Sequence, residues 1–357
     1  MDLFLSLWEA DGTILKNRMA APFPFLLLGV HEMQNVNKSS CPDCETSLNR
    51  REFVQALGGA ALAAGALPNL MYAAPKADGP AETAAGNLYK TLTEEQRKTI
   101  CFPFDHNSRK TINANWHVTK PGIGTNFYTK EQQALIHEVV KSVSSEDGYE
   151  RFLKQMEDDS GGIRNYSVGL FGEPGTGEFQ WLLTGRHLTM RADGDSVKNA
   201  AFGGPIVYGH GQSDPKKNLF HYQTQKANEV FKALDEEQRK VALLEKKPKS
   251  EADVLLQGPK GRFQGIAVGE LSSDQQELVE SVIKVILAPY RKDDVDEALE
   301  HLKTGGGLKE LHLSFYKEGD LNNDEVWDVW RVEGPTFVSY FRGAPHVHAY
   351  INIGQKA

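Results

Sequence analysis

Cysteine is scarce in this sequence, with only Cys41, Cys44 and Cys101 among 357 residues. The first two form a C-x-x-C pair, and Cys101 stands alone in the rest of the chain, so that part cannot contain an internal disulfide. A structural zinc site needs four ligands, and no second pair follows, so we expect no structural metal at Cys41 and Cys44. The apolar ICFPF context of Cys101 disfavours a reactive thiolate.

An excess of positive charge is also missing, because 40 Lys and Arg face 48 Asp and Glu, a formal net charge of −8. A mildly acidic surface gives no electrostatic reason to bind nucleic acid or anionic lipid. Beyond the export signal described next, no apolar segment is long enough to cross a membrane, so we expect no membrane span in the mature protein. G-x-S-x-G, H-E-x-x-H and phosphate-loop signatures are absent too. We expect the partner to be a small-molecule substrate or ligand of unknown identity.

What is present begins with an export signal. Arg50 and Arg51 stand before a weakly hydrophobic, Ala- and Gly-rich run at residues 54–67, and Phe53 occupies the second position after the pair. This combination is typical of a twin-arginine signal. The alternative is a buried amphipathic helix, but residues 54–67 have no polar face. We therefore expect a periplasmic protein, or one otherwise exported through the twin-arginine pathway.

The chain divides into five segments by composition. An apolar stretch precedes the arginines, which is wrong for an export signal, so we expect translation to begin at Met33. A small-residue stretch, DGPAETAAG, has no hydrophobic period and is expected to be a linker. The segments are 1–32, a gene-start error; 33–77, the signal region; 78–87, the linker; 88–223, a first repeat unit; and 224–357, a second repeat unit.

The last two segments repeat one pattern of motifs. LYKTLTEEQRK and VFKALDEEQRK are identical at seven of eleven positions, and each contains a capping residue, Thr93 or Asp235, with glutamine three positions later. That spacing is the capping box that begins a helix. A second pair of helix caps and several strands follow in the same order in both segments, including WLLTG in the first and WRVEG in the second. The offset of 140–149 residues indicates duplication of a half-domain.

The expected fold is therefore α+β. Each unit should consist of three helices and a set of antiparallel strands, and neither layer alone would bury its apolar face. We expect the tandem duplication to pack as one pseudo-twofold domain. The two units should superpose with Gly122 matched to Gly265, Trp181 matched to Trp330, and Pro205 matched to Pro345.

These motifs resemble those of a family of bacterial and fungal proteins known only as domain of unknown function 3500. The resemblance is carried by KPGIGTNF, NYSVGLFGEP, FQWLLTGRHLTM and the final PHVHAY, and it extends from about Leu88 to the end. It implies paired histidines where this chain has Arg186 and His187, and a closing His-x-His like His346 and His348. It implies no reaction.

Three histidines are the candidate metal ligands: His187, His346 and His348. Residues two apart on a strand project from the same face, so His346 and His348 can bind one ion. His187 comes from a strand of the other unit, and we expect Arg186 beside it to point away. Imidazole ligands favour copper, zinc or iron. Histidines on a solvated strand edge, which bind nothing, are the alternative.

The remaining histidines have simpler interpretations. His106 and His117 lie in a loop near Trp116 and are interpreted as polar loop residues, while His210 lies between glycines in an expected flexible turn. The leading hypothesis is therefore an exported metal-dependent enzyme. The alternative is a non-catalytic binding or scaffold protein of the cell envelope, with no cofactor.

Replacing Arg50 and Arg51 together with lysine should leave a precursor in the cytoplasm, because the twin-arginine pathway selects this pair. Cell fractionation and immunoblotting would measure the distribution of the protein. Export at the normal level with both arginines replaced would rule out the twin-arginine assignment.

Overall fold

A computed structural model describes residues 75–356, which form eight α-helices and eleven β-strands. The helices are α1 (Pro80–Thr91), α2 (Glu94–Ile100), α3 (Lys130–Ser142), α4 (Glu146–Ser160), α5 (His221–Ala233), α6 (Glu236–Ala242), α7 (Ser273–Leu287) and α8 (Lys292–Thr304). The strands are β1 (Cys101–Phe102), β2 (Ser167–Gly172), β3 (Phe179–Gly185), β4 (Leu188–Ala192), β5 (Ile206–His210), β6 (Leu243–Leu244), β7 (Ile266–Ala267), β8 (His312–Tyr316), β9 (Val329–Glu333), β10 (Phe337–Arg342) and β11 (Val347–Ile353). The arginine pair, the signal and the C-x-x-C pair lie outside the described residues.

Four helices begin at capping boxes, as the sequence predicted. Their caps are Thr93, Thr129, Asp235 and Ser272. In each, the cap side chain accepts a hydrogen bond from the backbone N–H three residues later, and a glutamine side chain there accepts one from the backbone N–H of the cap. Two amide groups that the helix itself cannot pair are thereby satisfied.

The predicted linker at 78–87 is wrong, because most of it belongs to helix α1. Pro80 occupies the first turn, where its missing N–H costs nothing, and alanine has the highest helix propensity. Ala81, Ala84 and Ala85 are buried. These small side chains allow α1 to pack closely against α3. The segment shows no helical period of large apolar residues, because alanines form most of its buried face.

All eleven strands form one mixed sheet. Along the sheet the order is β1-β2-β3-β4-β5-β11-β10-β9-β8-β6, and β7 pairs with β8. The short outer pairs β1–β2 and β6–β8 are parallel, and the other pairs are antiparallel. Helices and a mixed sheet together make the fold α+β, as expected. Within residues 75–356 no helix has the length and apolar character that a membrane span requires.

The sheet separates two hydrophobic clusters, because successive side chains of a strand point to opposite faces. The larger cluster packs the helices against one face and includes Trp181, Trp330 and Ile351. The smaller one lies on the other face, where Ala114 and Val254 from two irregular segments cover the central and second-half strands. The second of these segments, which contains Val254, also contains Glu251.

Near helix α8, several buried carboxyl groups share a single arginine. Arg291 contacts Glu82 at 2.8 Å and Asp294 at 3.0 Å. Burial raises the pKa of Asp193 to about 6, that of Asp294 to about 7 and that of Glu297 to about 8. For Glu297, the neighbouring carboxylates of Asp193 and Asp294 raise the pKa further. These groups bind protons more tightly in the folded protein than in the unfolded chain, so they lower its stability as pH rises from about 4 to 8.

The variant Glu297→Gln should raise the free energy of unfolding at pH 9 by about 1–2 kcal/mol and leave it almost unchanged at pH 5. At pH 9 the wild-type carboxylate is ionised among other carboxylates, whereas at pH 5 it is protonated and resembles the amide. Urea unfolding at the two pH values measures the difference. Glu150→Gln, on the exposed surface of α4, is the matched control. Equal effects of Glu297→Gln at both pH values would contradict this account.

Candidate metal centre

Three histidines from distant parts of the chain lie together at one end of the central strands. His187 lies between β3 and β4, His346 immediately precedes β11, and His348 is the second residue of β11. Their ring centroids are 5.0 Å apart for His187 and His346, 4.9 Å for His187 and His348, and 4.7 Å for His346 and His348. One ring nitrogen from each lies within 4.8 Å of the other two.

His187 occupies the tight turn that joins β3 to β4. Gly185 pairs with Leu188 across this hairpin, so the connection consists of Arg186 and His187 alone. His187 adopts a left-handed backbone conformation with φ 57°, which is uncommon for a residue other than glycine. Its backbone N–H donates to the carbonyl of Ala114 at 2.6 Å. The turn therefore fixes the direction in which the imidazole leaves the backbone.

A buried carboxylate orients the His187 ring. Nδ1 of His187 lies 2.7 Å from Oδ2 of Asp159, and the two side chains are only 5% and 3% exposed. Asp159 also accepts hydrogen bonds from the Gln155 amide and from the backbone N–H of Gly211, each at 2.7 Å. Burial alone would raise the pKa of Asp159, but the hydrogen bonds from His187 and Gln155 outweigh it and lower that pKa. Asp159 is thus a fixed anion behind the ring.

A second carboxylate orients the His348 ring in the same way. Nδ1 of His348 lies 2.7 Å from Oε2 of Glu251, and Oε1 of Glu251 accepts a 2.8 Å hydrogen bond from Arg342. Burial would raise the pKa of Glu251, but the hydrogen bond from His348 and the charge of Arg342 reverse the effect and lower it. Glu251 belongs to the irregular segment between β6 and β7, which covers the sheet face of the smaller hydrophobic cluster.

Both carboxylates determine which ring nitrogens are free. An ionised carboxylate can only accept, so Nδ1 of His187 and Nδ1 of His348 must carry the protons. Each Nε2 then carries a lone pair, and that of His348 faces Nε2 of His346. Metal-binding histidines commonly have this arrangement, in which a carboxylate accepts the hydrogen of the nitrogen that does not touch the ion.

His346 is the most solvent-accessible corner of the cluster. Its Nε2 lies 3.0 Å from Nε2 of His348 and 3.2 Å from Nη2 of Arg342. Burial lowers the pKa of His346 to about 4, and the charges of His348 and Arg342 add to the effect. At neutral pH the imidazole is therefore uncharged, which is the form that binds metals.

The family described as protein of unknown function (DUF3500) matches residues 77–351, a span that contains all three histidines and both carboxylates. The chain belongs to this family. The resemblance read from the sequence motifs is thus confirmed. No curated protein and no solved structure matches the chain. Membership supplies no reaction, so function has to be argued from the site itself.

Two details of the predicted site differ in the structure. His187 lies in the hairpin turn, whereas the sequence placed it on a strand. Because strand alternation stops at the turn, Arg186 does not point away: a methyl group built on Gly211 would lie 3.4 Å from both Nη2 of Arg186 and Cε1 of His187. A second arginine, Arg342, also contacts His346.

The other histidines within residues 75–356 lie outside the cluster. His106 caps a short 3-10 helix through Nδ1, and His117 is exposed. His210, expected in a flexible turn, ends strand β5 and is buried. Its Nδ1 accepts from the Leu219 N–H at 3.2 Å, so Nε2 donates to Asp158 at 3.1 Å and no ring lone pair remains.

Sequence reasoning missed Asp159, Glu251 and Arg342. Asp159 lies in an acidic helix end and Glu251 in a charged irregular segment, and such residues are common on solvated surfaces. Arg342 shares the strand pair β10–β11 with His348, its direct partner. A correct alignment of β10 with β11 would have found Arg342, but no local pattern marks the two carboxylates.

Proposed function

We propose that His187, His346 and His348 bind one transition-metal ion and that this ion is the catalytic centre of a metal-dependent enzyme. The main support is the 3.0 Å separation of the His346 and His348 Nε2 atoms, with carboxylates behind His187 and His348. Nitrogens that share a tetrahedral ion at about 2.0–2.1 Å lie roughly 3–3.5 Å apart. The His346 and His348 nitrogens thus have the separation that one shared ion requires, and a ring nitrogen of His187 lies within 4.8 Å of both.

The number and type of ligands support catalysis more than a structural role. Structural zinc sites in proteins use four protein ligands, whereas catalytic sites use three and keep a position for water or substrate. Neutral imidazoles favour zinc, copper or iron. Such an ion supplies either a bound water with a pKa of about 7 for hydrolysis or, for copper and iron, electron transfer. His346 is partly exposed, which gives a substrate access to the cluster.

The chain's own residues have separate tasks in this proposal. Asp159 and Glu251 fix the rotation and tautomer of their histidines, so little conformational freedom is lost when an ion binds. Arg342 holds Glu251 in place. The buried face of His187 keeps water away from one side of the cluster.

We also propose that the protein acts outside the cytoplasm. The support is the twin-arginine pattern at residues 50–67, which lies outside the described residues. That pathway carries folded proteins, which agrees with an ion bound before export. A non-catalytic binding or scaffold protein of the cell envelope is the outcome to expect if no metal binds.

We further propose that the domain arose by tandem duplication. Strand order supports this, since in both halves successive strands run inward from an edge of the sheet to the central β5–β11 pair: β1 to β5 in the first half, and β6, β8, β9, β10 and β11 in the second. Trp181 and Trp330 lie in the matching strands β3 and β9. A reciprocal pair of glutamine amides also joins two capping boxes in each half: Gln96 with Gln132, and Gln238 with Gln275.

Contacts between the halves have the form expected around a twofold axis, where the same contact occurs twice with the partners exchanged. In the β5–β11 pair, Val207 pairs with Tyr350 and Val347 pairs with His210. The matched Pro205 and Pro345 make Val347 the counterpart of Val207, and Tyr350 the counterpart of His210. Between the helix pairs, the Ser145 N–H donates to the Pro289 carbonyl at 3.0 Å, and the Arg291 N–H donates to the Val143 carbonyl at 3.2 Å.

The purified full chain should bind one Zn²⁺ or Co²⁺ per molecule, and His346→Ala/His348→Ala should abolish binding at micromolar concentrations. Asp159→Asn should weaken metal affinity about 10- to 100-fold, because the His187 ring loses its orienting acceptor. Isothermal titration calorimetry and elemental analysis provide the measurements. His117→Ala, an exposed loop histidine, is the control and should bind normally. Full metal occupancy in the double variant would refute the site.

The two glutamine pairs allow a test of the duplication. Double-mutant cycles for Gln96→Ala with Gln132→Ala, and for Gln238→Ala with Gln275→Ala, should give favourable coupling energies of about 0.5–1 kcal/mol in both halves. The coupling should be larger in the first half, where both amides are buried. Urea unfolding measures each cycle. Coupling in one half only would argue against equivalent units.

A further inference from the structure

Two arginines, Arg342 and Arg186, lie beside the histidine cluster, and the three-histidine site does not require either of them as a ligand. Arg342 is held at three points: Nη1 donates to Glu251 at 2.8 Å, Nε donates to the His346 carbonyl at 3.3 Å, and Nη2 lies 3.2 Å from Nε2 of His346. A guanidinium fixed in this way has lost its rotational freedom already, which is the usual condition for recognition of a planar oxyanion.

The contact between Arg342 and His346 cannot persist unchanged once an ion binds. Nη2 of Arg342 donates to the ring nitrogen that faces Nε2 of His348, and that lone pair is the one an ion shared with His348 would take. Binding through it leaves an N–H of Arg342 without an acceptor beside the open coordination position. An oxygen atom of a ligand bound at that position would be the nearest replacement.

Arg186 adds a second, unpaired positive charge. Its side chain is exposed and forms no ion pair or hydrogen bond with residues 75–356. The guanidinium nevertheless borders Gly211 together with the His187 ring. An exposed guanidinium that has no carboxylate partner is available to bind an anionic ligand.

The charges around the cluster do not cancel when a divalent ion is included. Asp159 and Glu251 contribute two negative charges, and Arg342 and Arg186 contribute two positive charges. The three histidines are neutral in the form that binds metal. The charge of the ion itself therefore remains uncompensated, and a partly buried excess of positive charge attracts an anion.

We propose that the fourth coordination position accepts an oxyanion, so that the substrate class is a small molecule bearing a carboxylate or phosphate group, which Arg342 and Arg186 bind. This inference rests on the proposed metal site. The shared chemistry is an anionic oxygen that contacts the ion and accepts from Arg342. Arg186 attracts the rest of the charge from the solvent side.

Co²⁺ provides a direct readout, because its visible absorption spectrum changes when a ligand joins its coordination shell. The cobalt-loaded full chain is titrated with sodium acetate in one arm and with inorganic phosphate in the other, at constant ionic strength. Either anion should change the spectrum with saturation, and the tighter of the two identifies the preferred group. Urea, which is neutral, should not change it at the same concentrations.

Arg186→Gln should raise the anion dissociation constant about five- to ten-fold while the Co²⁺ affinity stays within two-fold, because the Arg186 side chain forms no hydrogen bond with the three histidines, Asp159 or Glu251. Arg342→Lys keeps the positive charge but loses the paired N–H donors of the guanidinium. It should weaken anion binding more than Arg186→Gln does. Its Co²⁺ affinity is measured separately, since Arg342 also holds Glu251. Arg262→Gln is the matched control, as Arg262 is exposed and its backbone carbonyl is linked through Gln257 to Glu333 at the far end of β9.

The outcomes separate the two proposals. If Co²⁺ does not bind, or if it binds equally well to His346→Ala/His348→Ala, the metal site is wrong and the oxyanion proposal is overturned with it. If Co²⁺ binds at the histidines but neither anion changes the spectrum, only the oxyanion proposal is overturned. The same holds if both anions bind with dissociation constants that Arg186→Gln and Arg342→Lys leave unchanged.

Discussion

The antiparallel pairing of β5 with β11 is the contact on which the sheet and the histidine cluster both depend. It joins strands β1 to β5 to the strands of the second half and so creates one continuous sheet. It also places His348 opposite Gly209. A methyl group at Gly209 would lie 2.2 Å from the Val347 carbonyl oxygen and 3.3 Å from Cβ of His187. The absence of a side chain there allows the His187 hairpin to approach β11.

Two carboxylates that are not themselves candidate ligands orient the rings of His187 and His348. Asp159 comes from the end of helix α4, and Glu251 comes from an irregular segment on the sheet face opposite the main core. Each accepts a short hydrogen bond from Nδ1 of one histidine. Burial of a carboxylate is costly unless hydrogen bonds compensate it, and here several do. The protein itself therefore fixes the rings of His187 and His348.

Buried carboxylates are compensated by hydrogen-bond donors to different extents in the two buried polar regions of the domain. Around the histidines, Asp159 and Glu251 are matched by donors, and their pKa values fall. Around Arg291, carboxyl groups outnumber the cation, and the pKa values of Asp294 and Glu297 rise. The first arrangement keeps Asp159 and Glu251 ionised to lower pH. The second opposes stability at high pH and has no comparable set of donors.

Local sequence patterns determined a considerable part of this protein. Capping boxes depend on contacts within four residues, so the helix starts at Thr93, Thr129, Asp235 and Ser272 could be read directly. The α+β class and the family followed from alternating strands and from motif order, which are equally local. The chain also marked the three histidines, because two of them lie two residues apart beside a strand.

Tertiary structure alone decided how those residues meet. The linker prediction failed because the helical state of α1 depends on alanines packing against α3, a contact about 50 residues away that no local pattern records. His187 and Arg186 were misplaced because one residue more or less in a hairpin reverses the direction of every following side chain. Asp159, Glu251 and Arg342 became site residues only through the sheet register and the path of an irregular segment. Hydrogen bonds between residues 28 and 97 positions apart fix the rings, and nothing in either neighbourhood alone encodes them.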